Sequence, residues 1–112
     1  MNAMQFDKVV ENRIALIQKI LLAKRKEYAP ESGDRLHNFN RASAMLSCSR
    51  EKALIGMLSK HLVSILDIVD TIDKEKTYPS IAIVEEKIGD AINYLILLEA
   101  MLKEDISFIL NN

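Results

Sequence analysis

Residues 85–100 read E-E-K-I-G-D-A-I-N-Y-L-I-L-L-E-A, and the spacing of their apolar residues decides the fold. Ile88, Ala91, Ile92, Leu95, Ile96, Leu97, Leu98, Met101 and Leu102 cover most of the circumference of a helix. On that helix Glu86, Asp90 and Asn93 share one stripe, at i, i+4 and i+7. A helix that is apolar on both flanks of such a stripe is a buried one. A chain of 112 residues has little else with which to bury it. A second copy is therefore expected to complete its cover, most simply as a two-fold dimer. Asn93, together with Asp90, is then expected to be buried or half-buried and to need polar partners.

The rest of the chain extends this reading. Three glycines and two prolines leave long stretches unpunctuated. A first helix is expected from about Met4 to Glu27, with Phe6, Val10, Ile14, Ile17 and Leu21 near the helical period. It ends before Pro30, because the residue preceding a proline is pushed out of the α region. Residues 28–40, Y-A-P-E-S-G-D-R-L-H-N-F-N, form the least regular part, and they also hold Arg35, His37, Asn38 and Phe39. A short helix from Arg41 to Leu46 follows, with Asn40 as its cap. Ser49 caps a third helix running to about Lys74, with Glu51 in its first turn and Leu58, Leu62, Ile65, Val69 and Ile72 as its seam. After D-K-E-K-T-Y-P, Pro79 opens the last helix, which runs to about Ile109. The expected fold is a single all-α domain over 1–112: a bundle of three long helices and one short one, completed by dimerisation.

Composition excludes several classes. Fifteen basic and sixteen acidic residues give a net charge of −1, which does not suit a nucleic-acid binder relying on bulk charge. The basic run Lys24–Lys26 is read as meeting a helix end and water. The longest strongly apolar run, Ala91 to Leu98, is far short of the ~20 residues that span a bilayer. One cysteine, Cys48, rules out an internal disulfide and fits a reducing compartment. With no basic-then-apolar leader, a cytoplasmic protein is expected. One Cys and two His supply no zinc spacing.

Two polar stripes carry the chemistry. Lys60, Ser64, Asp67 and Thr71 lie within about 40–60° of one another on the third helix, and Asp70 stands on the shoulder of that stripe. Glu86 and Asp90 stand one turn apart on the fourth helix. Four carboxylates from two neighbouring helices are the hard oxygen ligands that Mg²⁺ or Mn²⁺ takes. The alternative is an ordinary solvated face, since amphipathic helices carry such stripes as a rule.

E-Y-A…G-D-R-L-H-N-F, K-H-L-V-S-I-L-D-I and E-K-I-G-D-A-I-N-Y-L-I-L-L together resemble a family of small all-helical phage and prophage proteins associated with nucleotide modification. The resemblance covers about residues 24–102. More distantly, the chain is similar to the all-α nucleoside triphosphate pyrophosphatases, the MazG-like and dimeric dUTPase group, which hold Mg²⁺ with E-x-x-E on one helix and E-x-x-D on the next. Asp67-x-x-Asp70 has the first spacing with Asp for Glu. Asp90 matches the second motif's aspartate, but Lys87 stands three before it and Glu86 four before.

The resemblance implies a homo-oligomer, dimer or tetramer, that hydrolyses a nucleotide between its α and β phosphorus. Mg²⁺ (or Mn²⁺) would sit on Asp67, Asp70, Glu86 and Asp90, with Asp90 and Glu86 as the catalytic pair. Lys60 and Arg35 would meet phosphate oxygens. Asn38 would read a base edge and Phe39 stack on it, with Asn93 a further contact. Each has a plainer reading beside it: Phe39 as a core plug, Arg35 as a partner for a nearby acid, His61 as a surface histidine, Asn93 as a register-setting interface residue. The competing function is a non-catalytic helical oligomer that serves as an interaction module.

Overall fold

The computed structural model describes residues 1–23 and 34–111. The expected end of the first helix at Glu27, the Lys24–Lys26 run and the turn formers Pro30, Ser32 and Gly33 lie outside the described residues. Within them the chain forms four helices and no strand: α1 (Ala3–Ala23), α2 (His37–Leu46), α3 (Arg50–Glu75) and α4 (Ile81–Leu110). The all-α bundle expected from the sequence is the fold observed. No helix among the described residues is long and apolar enough to cross a membrane.

The helix ends follow from local chemistry. Ser49 caps α3, its hydroxyl accepting from the Lys52 amide at 3.1 Å, and Ser80 caps α4, accepting from the Ile83 amide at 3.2 Å. Pro79 therefore stands before the cap of α4 and not inside its first turn. The short helix begins at His37, earlier than expected, so Asn38, Phe39 and Asn40 are helical. Asp34 prepares that start: its side chain accepts from the Leu36 amide at 3.0 Å and its carbonyl from the His37 amide at 3.2 Å. Asn40 is not the cap, and its amide instead donates to Asp34 at 3.1 Å. Ser47 and Lys76 close α2 and α3 in the left-handed conformation.

The core lies where α2, α3 and α4 meet. Leu36, Leu54, Leu58, Ala91 and Met101 are buried, with Phe39, Ile65, Tyr94, Leu97 and Leu98 packed around them. α3 and α4 run antiparallel: the start of α3 meets the far end of α4 at Arg50–Asp105, and its middle meets the near half at His61–Asp90. α1 docks on α4. There Asn12 donates to the Glu85 side chain at 3.3 Å and Arg13 to the Glu85 carbonyl at 3.1 Å.

Gly89 explains one letter of the E-E-K-I-G-D motif. It is buried under Arg13, and a Cβ there would stand 2.6 Å from Arg13 Nη1. The far end of an arginine can give way. Gly89→Ala is therefore expected to stay within about 1 kcal/mol of the parent, since a gain in helix propensity of about 1 kcal/mol offsets a lost Arg13 hydrogen bond of similar size. Gly89→Leu must push α1 off α4 and should cost roughly 1–3 kcal/mol in urea unfolding.

Arg50 joins three helices. Its side chain is 13% exposed and reaches Asn40 at 3.3 Å, Glu104 at 3.0 Å, the Met101 carbonyl at 3.2 Å and Asp105 at 2.7 Å. Burial works against its charge, but hydrogen bonds and attraction from Glu104 and Asp105 prevail and raise its pKa. The Asp105 carboxyl is held below its ordinary value, first by a hydrogen bond with Glu51 and, against the opposing effect of burial, by Arg50. Arg50→Ala should cost about 2 kcal/mol, discounted for the solvent around Glu104 and Asp105. A lowered carboxylate pKa contributes stability above the unfolded value of about 3.9, lost as pH falls through the lower folded value. Unfolding measured from pH 6 to pH 2 should accordingly show a shallower acid decline in Arg50→Ala than in the parent.

Candidate functional site

A cavity of about 430 Å³ lies between all four helices, a size that accepts a small-molecule ligand. Ile20 and Leu21 of α1, Met57 of α3 and Leu97 of α4 form its apolar wall. Arg35, Asn38, His61, Asp90 and Asn93 supply its polar groups, and Phe39 and Tyr94 its aromatic ones. Five of the residues singled out from sequence, Arg35, Asn38, Phe39, Asp90 and Asn93, thus come together, drawn from α4, α2 and the turn that leads into α2.

Backbone geometry accounts for the convergence. Asp90, Tyr94 and Leu97 follow one another at i, i+4 and i+7, so one face of α4 lines the cavity, with Asn93 beside them. His61 is one turn after Met57 on α3. The rings interlock: Tyr94 meets Phe39 edge-on at 6.3 Å between centroids, and His61 lies tilted over Tyr94 at 4.9 Å. His61 Nδ1 stands 3.7 Å from Asp90 Oδ2, near enough for attraction when the imidazole is protonated and too long for a hydrogen bond.

Two buried polar atoms in residues that line this cavity have no partner among the described residues. Asn93 is 8% exposed, and its buried Oδ1 accepts no hydrogen bond among the described residues. Arg35 is anchored through Nη2, which donates to the Leu21 carbonyl at 2.7 Å in the last turn of α1. Its Nη1 is buried and has no acceptor among the described residues. A buried polar atom left unpaired costs about 1–3 kcal/mol. A donor and an acceptor without partners, both in residues that line the cavity, are therefore informative.

The remaining predicted residues lie elsewhere. Lys60 is exposed and does not line the cavity; Asp70 and Glu86 are exposed as well. Asp67 borders a separate, shallower depression of about 270 Å³ with Thr71, Tyr78 and Pro79. Among the described residues no three His, Cys, Asp or Glu side chains stand together as a metal site. The four carboxylates expected to share Mg²⁺ or Mn²⁺ are thus not gathered within one chain: Asp90 lines the cavity, Asp67 borders the separate depression, and Asp70 and Glu86 line neither.

Tyr94 and Arg50 were not singled out from sequence. Tyr94 could have been found from its place one turn after Asp90. Arg50 could have been found from the acids Glu104 and Asp105, which an antiparallel neighbour carries to the start of α3. Comparison of the chain with protein-family models, with curated proteins and with solved structures found no match.

Proposed function

We propose that this protein binds a nucleotide-type ligand in the cavity between its four helices. The observation that carries the reading is the pair of buried atoms without partners among the described residues, Arg35 Nη1 and Asn93 Oδ1, in side chains that line a cavity with aromatic rings. Arg35 asks for an acceptor, best an anionic oxygen. Asn93 asks for a donor. Phe39, Tyr94 and His61 suit a flat, partly apolar body. A base joined to a phosphate combines all three features, and the resemblance to MazG-like and nucleotide-modification proteins of phage points the same way.

Binding is the part of the reading that the geometry supports. The pyrophosphohydrolase activity implied by the resemblance needs a metal set that the described residues of one chain do not bring together, so no hydrolytic step is derived. A panel of ribo- and deoxynucleoside mono-, di- and triphosphates, titrated calorimetrically, tests the reading. Binding by the parent, weakened roughly 10- to 100-fold in Arg35→Ala, is the expected result. Silence across the panel would sink it. Pyrophosphate release in Mg²⁺, abolished by chelator, would add catalysis.

A second reading is favoured by surface area: the chain works as a homo-oligomer. It exposes 8481 Å², about 2,200 Å² more than the roughly 6,200 Å² usual for a monomer of its mass. Its radius of gyration, 16.9 Å, exceeds the roughly 13 Å of a compact chain of this length.

A further inference from the structure

We propose that two copies of this chain pair through the side of the α3–α4 hairpin opposite the cavity. This surface rests on the homo-oligomeric reading above and names where the copies meet. On α3, Ile55, Leu62 and Val69 recur every seven residues; on α4, Ile88, Leu95 and Leu102 do the same. A seven-residue apolar repeat is the pattern by which helices pair. All six side chains are exposed in the single chain, Leu62 at 46% and Leu95 at 51%. Helical phase places both ladders on one side: Leu62 lies about 140° round α3 from Met57, and Leu95 about 160° round α4 from Asn93. The cavity faces one way and the ladders the other.

The occupant is a second copy because area and form agree. A stable obligate interface buries roughly 2,000–5,000 Å² in total, so the excess exposure of two chains is of the amount such a dimer removes from water. Two antiparallel hairpins laid face to face make a four-helix bundle, and a two-fold axis lets one patch serve both partners. Glu99 and Lys103, paired at 2.6 Å beside the α4 ladder, supply a polar rim. α1 and α2 then stay outside the central bundle, with each cavity on an outer side. A rival face exists on α1, where Phe6, Val10 and Ile14 are also exposed, and the test separates the two.

Sedimentation equilibrium of the full chain should give twice the 12.7 kDa chain mass at micromolar concentration. Leu62→Lys and Leu95→Lys should each weaken the dimer by roughly 100-fold or more, whereas Phe6→Lys should leave it intact. A monomeric parent overturns the proposal. So does a dimer indifferent to both ladder variants, or one abolished by Phe6→Lys. If the ladder variants lose helicity by circular dichroism, hydroxyl-radical footprinting of the parent decides instead. Protection of the ladder side chains must then rise with concentration through the dimer transition while Phe6 stays unprotected; any other pattern overturns the surface. A monomer that binds nucleotide defeats this proposal and spares the cavity reading, and a ladder-paired dimer that binds none does the reverse.

Discussion

Asn93→Leu is expected to make the protein more stable and less able to bind. Asn93 Oδ1 is buried without a hydrogen bond among the described residues, so the folded state carries an acceptor that water satisfies in the unfolded chain. Replacing the amide with an apolar side chain removes that cost. The expected gain is about 1 kcal/mol, seen as a rise of roughly 4 °C in thermal midpoint. The same change removes the unpaired acceptor of a residue that lines the cavity and should weaken nucleotide binding roughly 10- to 100-fold. The two effects have opposite signs, which distinguishes this outcome from ordinary damage to a core. If stability falls, Asn93 Oδ1 is satisfied in solution and the case for a waiting ligand contact fails.

Leu54→Ala should produce the largest loss of stability. Leu54 is fully buried, on the same face of α3 as Leu58 and within the cluster that joins α3 to Leu36, Ala91 and Met101. Truncating such a leucine typically costs about 3–5 kcal/mol, made up of lost transfer energy and the cavity left behind. The core is small, with six buried apolar residues among the described ones, so few neighbours can relax into the gap. Urea unfolding should show a lower midpoint with an unchanged slope. A loss below about 1 kcal/mol would mean that this cluster does not organise the fold.

The long helices were legible in the sequence because their information is local. Ser49 declares its cap, and the Leu58, Leu62, Ile65, Val69, Ile72 series declares its period. The onset of α2 was not legible, since it depends on Asp34 turning its carboxylate back onto Leu36, a contact that looks like plain loop composition. The stripe on α4 was read correctly as partly buried. Asn93 proved buried within one chain, however, because α1 and α2 enclose that face with α3. The carboxylate set is not drawn together among the described residues of one chain, and spacing could not show this: it fixes which residues share a helix face, but not which face meets the neighbour. Asp90 faces the cavity and Asp67 does not. Arg50 went unnoticed because its partners on α4 lie more than fifty residues away, at Met101, Glu104 and Asp105.

The docking of α1 bears on the order in which the molecule assembles. α2, α3 and α4 are sequential neighbours, and the longest of their hydrogen bonds, Arg50 to Asp105, spans fifty-five positions. The hydrogen bonds of Asn12 and Arg13 to Glu85 instead join residues more than seventy positions apart. Closing that loop costs more chain entropy than closing the α3–α4 hairpin, and residues 3–12 of α1 are exposed. Amide protons along the first turns of α1 should therefore exchange with solvent far sooner than those around Leu54 and Met101. Ile20 and Leu21 belong to this late-arriving helix, so the cavity wall is the last part of the molecule to be put in place and the first to be lost.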